Sequence, residues 1–152
     1  NHGVPVQLIL VADPRKITGA SQINLQILRR LKLPITVIAS SRVWRRWVAP
    51  RHAVRLAIDA LLGTGFQGQV REPIVSVIQW LNRQRFPVLS VDIPSGLSAD
   101  TGRPSPVAVR ARATVACGWP KAGLTRAQGP WYSGRIFVAD ISLPRRLRPW
   151  NS

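Results

Sequence analysis

Residues 87–102, PVLSVDIPSGLSADTG, decide how this chain is read. The stretch opens on an apolar run, 87–93, with the composition of a buried strand. The run reaches Asp92 at its end, and Pro94 and Gly96 then turn the chain sharply. A carboxylate at the end of an apolar strand is costly to bury without a partner, so it points to chemistry. The turn can bring Asp92, the Ser95 hydroxyl and several carbonyls to one point. The competing reading is a rigid turn capped by Ser95 and Asp100.

Working outward, apolar runs of the same kind recur at 4–11 (VPVQLILV), 34–39 (PITVIA), 55–62 (RLAIDALL), 113–117 (ATVAC) and 135–141 (RIFVADI). Between them lie amphipathic patterns. Ser21 is placed as the N-cap of a helix carrying Ile23, Leu25, Ile27, Leu28 and Leu31. Residues 72–85 predict a second helix with Pro73 in its first turn and Ile74, Val77, Ile78 and Leu81 on one face. Residues 41–55 predict a helix and turn interrupted by Pro50, with Trp44 and Trp47 packing on the sheet. Only the last two strands lack a convincing helix between them. Strands alternating with helices predict an α/β fold, a Rossmann-like three-layer α/β/α sandwich with a mostly parallel sheet covered on both faces. In such sheets ligands bind beyond the carboxyl ends of the strands.

Composition bounds the function. The chain has 152 residues, one domain's worth, with 45% hydrophobic residues, enough to bury a core. A single cysteine, Cys117, excludes a disulfide framework and a multi-cysteine zinc site, and inside an apolar strand it reads as core. No apolar run reaches membrane-spanning length, and no leader pattern marks export, so a cytoplasmic setting is expected. There is no Met and the chain opens on Asn1, as a piece of a longer protein would. The net charge is +16, with 19 Arg and 3 Lys. A charge of this size favours polyanions, but the arginines are spread along the chain rather than clustered, so nucleic acid is not the expected partner. His2 and His52 show no ligand spacing.

The six acidic residues include two at the ends of neighbouring strands, Asp59 and Asp92. After Asp59 runs Gly63-Thr64-Gly65-Phe66-Gln67-Gly68, a G-x-G-x-x-G pattern that follows a strand and precedes a helix. Asp92 stands 24 positions after Gly68, close to the acidic spacing of a dinucleotide fingerprint. Glycines there let the backbone approach a pyrophosphate. A tight strand-to-helix turn needs the same residues. Gln69 stands where a phosphate-loop pattern demands Lys. Lys121 follows a strand end and reads equally as an anion contact or a solvated surface residue.

The segments Asp59-Ala-Leu-Leu-Gly-Thr-Gly, Val91-Asp-Ile-Pro-Ser-Gly-Leu, Ala99-Asp-Thr-Gly, Pro120-Lys-Ala-Gly-Leu and Val138-Ala-Asp-Ile, in this order, resemble the NAD(P)H-hydrate epimerase family, the YjeF N-terminal domain, over residues 4–143. The resemblance implies a domain over 1–143 followed by a basic tail, 144–152. It implies an isomerase that interconverts the R and S forms of hydrated NADH or NADPH, a homodimer, and a fused or separate dehydratase that acts on the S form. It implies a potassium ion held by Asp59 and Ser95. By the same motifs, substrate is bound by Gly63, Thr64, Gly65, Phe66, Gln67, Gly68 and Gln69 and by Asp92, which is also the candidate general acid or base. The family's Asn-Asn-Gly-Gly-Asp loop, which supplies a potassium ligand and a substrate contact, has no counterpart here and is expected upstream. Two other readings compete. A dehydrogenase has the glycine pattern in its favour and lacks a hydride-transfer partner. A non-catalytic nucleotide- or nucleic-acid-binding module has the charge and the missing loop in its favour.

Overall fold

A computed structural model describes residues 3–49 and 54–142 of the chain. The expected basic tail, Pro50 and both histidines lie outside the described residues.

Strand β1 (Leu8–Leu10) pairs in parallel with β2 (Ile35–Val37), and α1 (Gly19–Arg30) connects them. The larger sheet has four parallel strands in chain order: β3 (Ala57–Asp59), β4 (Val88–Val91), β5 (Ala113–Cys117) and β6 (Arg135–Ala139). Between β2 and β3 lies α2 (Ser41–Arg46), and α3 (Ile74–Asn82) makes the crossover from β3 to β4. A 3-10 turn (Ala122–Leu124) and a short α4 (Gly129–Ser133) fill the β5–β6 connection, where no helix pattern is legible in the sequence. Every pairing between the described strands is parallel, so the α/β class stands as expected, with the parallel strands in two sheets.

The register explains the core. Asp59 lies opposite Ser90, and Ser90 opposite Thr114, and all three are buried. The same face carries Val88 and Ala116. It is covered by Val77, Ile78 and Leu81 of α3 and by Ile93, Leu97, Ala108 and Leu124 from the connections. Asn82 ties the end of α3 to the connection leading into β5: its amide donates to the Ala108 carbonyl and its carbonyl accepts the Arg110 N–H. Trp44 stacks on Trp47 with ring centres 5.1 Å apart, and both meet Trp80 of α3 edge-on. The tryptophans therefore pack α2 against α3.

Three details differ from the sequence reading. The N-cap of α1 is Thr18, not Ser21, because Gly19 with φ +61° turns the chain into the helix three residues early. Of the α1 stripe only Leu25 is fully buried, while Ile23, Ile27 and Leu31 are exposed. The opposite face of the four-stranded sheet is not covered: Ile58, Val91 and Phe137 are 64%, 40% and 48% exposed.

Candidate active site

The site lies where the carboxyl ends of β3 and β4 meet. Asp59 is the last residue of β3 and is 1% exposed. Four hydrogen bonds converge on its carboxylate. The Leu61 N–H (3.4 Å) and the Ser95 hydroxyl (2.5 Å) donate to Oδ1. The Ser90 hydroxyl (2.8 Å) and the Ser95 N–H (2.9 Å) donate to Oδ2. The Ser95 hydroxyl in turn accepts the Leu62 N–H at 2.9 Å. One buried side chain thus fastens the end of β3, the interior of β4 and the loop after β4 into a single rim. Ser90 went unrecognised in the sequence; its signal was a hydroxyl inside an apolar strand, which needs a partner.

No Lys or Arg among the described residues pairs with the buried Asp59 carboxylate. Besides the two backbone N–H donors, its neighbours are oxygens: Ser90 Oγ, Ser95 Oγ and, 3.3 Å from the Ser95 hydroxyl, the Leu62 carbonyl. One carboxylate with neutral oxygen neighbours fits a hard cation of low charge. Among the described residues no cluster of three or more His, Cys, Asp or Glu forms a metal site of another kind.

Asp92 follows the last residue of β4 on the same rim. Its N–H bonds the Val115 carbonyl, extending the pairing with β5, and the Ile93 N–H closes back on the Val91 carbonyl. The residue between has φ +70°, a sparsely populated conformation that Asp tolerates better than most side chains. Oδ1 accepts the Cys117 N–H at 3.0 Å and the Lys121 ammonium, whose Nζ also donates to the Cys117 carbonyl at 3.0 Å. Oδ2 has no partner among the described residues. Lys121 is therefore bound to Asp92 and not solvated.

The glycine-rich loop leaves β3 next to these groups. Gly63, Thr64, Gly65, Gln67, Gly68 and Gln69 are exposed, while Phe66 packs into the core and its N–H closes a turn on the Gly63 carbonyl. The loop is tied to the one after Asp92: the Ser105 hydroxyl donates to the Gly68 carbonyl at 3.0 Å, and the Ser105 N–H to the Gly96 carbonyl. Helix α3 begins six residues beyond Gly68, so its N-terminus does not stand directly behind these glycines as the dinucleotide fingerprint would have it. A groove of about 290 Å³ between α1 and β1–β2, lined by Leu25, Arg29 and Val37 among others, is remote in sequence from all of these groups.

A buried carboxylate knot, a second carboxylate on a residue of positive φ and an exposed glycine loop thus lie at the carboxyl end of a parallel α/β sheet, the place where such folds bind ligands. The family described as YjeF-related protein N-terminus matches residues 1–123. The chain belongs to that family. It is 37% identical over 150 residues to the bifunctional NAD(P)H-hydrate repair enzyme Nnr of Salinibacter ruber, covering 93% of this chain and 28% of that protein. It is 32% identical over 151 residues to the NAD(P)H-hydrate epimerase of Weissella koreensis, covering 98% of this chain and 64% of that one. The crystal structure of yeast ynu0 superposes with a TM-score of 0.66 at 17% identity, over 92% of this chain and 68% of that one, and shows the fold. The chain thus spans about a quarter of the bifunctional relative and under two thirds of the single-function one.

Proposed function

We propose that this domain is an isomerase that epimerises hydrated NADH and NADPH, the activity named for its relatives. The observation that carries the reading is Asp92 Oδ2, without a partner among the described residues, held at the rim beside a loop in which two glycines, Gly63 and Gly65, are not needed by the chain itself. A Cβ at Gly63 or Gly65 would meet nothing within 4 Å, and neither residue has positive φ. Close approach of a ligand to the backbone is the use of glycine that remains there. Residues 63–69 hold the nucleotide in this reading.

The reacting centre is a ring carbon that bears a hydroxyl and the ring nitrogen. Inverting it requires a bond at that carbon to break and re-form. Asp92 Oδ2 takes the hydroxyl proton as the carbon–nitrogen bond opens, and the electron pair of that bond goes to nitrogen. The carbonyl then turns its other face to the nitrogen, the bond closes, and Asp92 returns the proton to oxygen. No net oxidation occurs and nothing is consumed. A monovalent cation at Asp59 and Ser95, potassium by family resemblance, would supply positive charge that fixes the 59–62 and 95–96 backbone. The chain's own residues bind, orient and move the proton.

The resemblance also brings a homodimer, and the bifunctional relatives support a dehydratase acting on the S form. The test is Asp92→Asn with purified R epimer. Epimerisation is expected to fall about 10²–10⁴-fold, the range of general acid–base contributions, with an unchanged circular dichroism spectrum. Turnover within about threefold of the parent would refute the role, since removing a proton-transfer group costs far more.

A further inference from the structure

We propose that Lys121 is the positioning residue for Asp92, an ammonium clamp that occupies Oδ1 and so presents Oδ2 to the substrate; this rests on the function proposed above. The clamp has three parts. Lys121 Nζ contacts Asp92 Oδ1, the Cys117 N–H donates to the same oxygen, and the Cys117 carbonyl accepts from Nζ. Asp92 sits at the end of β4 and Cys117 at the end of β5, adjacent parallel strands, so the clamp spans the rim. With Oδ1 taken by two donors, rotation about the Asp92 side chain would break both contacts.

The ammonium has a rigid base. Lys121 immediately precedes the 3-10 turn Ala122–Leu124, whose Leu124 is fully buried. The next residue but one, Gly123, packs so tightly on the preceding loop that a Cβ there would stand 2.0 Å from the Ser98 carbonyl oxygen. The Lys121 side chain is 18% exposed and that of Asp92 21%. Composition agrees: in a chain with 19 Arg and 3 Lys, the other two lysines, Lys16 and Lys32, are exposed. The compact ammonium is found where two acceptors, Asp92 Oδ1 and the Cys117 carbonyl, converge on one nitrogen, a geometry that suits a point charge better than the planar guanidinium fork.

Lys121→Ala is the test, beside Asp92→Asn as a reference. Turnover should fall on the order of 30- to 100-fold with KM changed less than about threefold, because a positioning group acts on the chemical step. Added ethylammonium should restore at least about tenfold of the loss by filling the vacated charge site, a recovery that a purely structural role would not give. If Asp92→Asn is inactive and Lys121→Ala turns over within about threefold of the parent, the clamp is wrong and the function stands. If Asp92→Asn itself is fully active, the function proposed for Asp92 is wrong. Melting curves test the clamp independently of turnover. Lys121→Ala should lower Tm by about 3 °C beside Asp92 and by less than about 1 °C beside Asn at that position, as expected for a coupled pair. Equal losses in both backgrounds would overturn it.

Discussion

Replacing Ser95 by Ala removes one oxygen from the knot at the end of β3, and the consequence can be worked out bond by bond. The hydroxyl donates to Asp59 Oδ1 at 2.5 Å and accepts the Leu62 N–H at 2.9 Å. Ser95 is 1% exposed, so water does not readily replace it. Losing a hydrogen bond to a buried carboxylate costs about 1.5–3 kcal/mol, and leaving the Leu62 N–H without its acceptor adds about 1 kcal/mol. The Ser95 N–H to Asp59 and the Val109 N–H to the Ser95 carbonyl survive, so the loop keeps its course. The expected loss is about 3 kcal/mol, or a fall in Tm of roughly 6–12 °C for a domain of this size. Far-UV circular dichroism melts at one pH and salt concentration measure it. Ser98→Ala is the control: its hydroxyl accepts one exposed N–H, from Thr101, and should shift Tm by under about 2 °C. A Ser95→Ala shift no larger than the control would refute the claim that this hydroxyl joins the two strand ends.

Two further substitutions separate architecture from ligand contact. Gly96→Ala should abolish folding or cost more than about 4 kcal/mol, because Gly96 has φ +88° and a Cβ would stand 2.1 Å from the Val107 carbonyl oxygen; a soluble variant with a parental melt would contradict the packing. Gly65→Ala should leave Tm within about 2 °C, since its Cβ meets nothing within 4 Å. The same change should raise the KM for hydrated NADH at least about tenfold, measured by following the epimer ratio chromatographically.

What the sequence disclosed follows from the range of the forces involved. Apolar runs made the strands legible because a buried parallel strand must be apolar along its length. Their true lengths were not: the run 55–62 is apolar, yet β3 ends at Asp59, where the hydrogen bonds with Ser90 and Ser95 take over from the ladder. The uncovered sheet face was also illegible, because Ile58, Val91 and Phe137 are residues that a covered face would carry too. At the site, Asp59, Asp92 and Ser95 stood out as polar groups at strand ends. Their pairing did not, since Lys121 meets Asp92 across 29 positions and Ser95 meets Asp59 across 36. Local pattern locates such residues; only the parallel register decides which of them meet.

The charge resolves by the same reasoning, because placement decides what it does. Every arginine among the described residues is exposed, and they lie on α1, on α2, beyond α3, in the loops and on β6. Nucleic-acid recognition uses a basic stripe on one face, and these residues form a shell. A shell of +16 attracts anions at long range without fixing them. In the proposed reaction the substrate carries anionic dinucleotide phosphates, so the charge should act on capture and not on the chemical step. Raising salt from about 50 to 300 mM shortens the screening length from roughly 14 to 6 Å and should raise KM for hydrated NADH about threefold, with kcat unchanged. A fall in kcat with unchanged KM would refute this division. So would tight duplex binding lost by about 10³-fold over the same range, the signature of many phosphate contacts made at once.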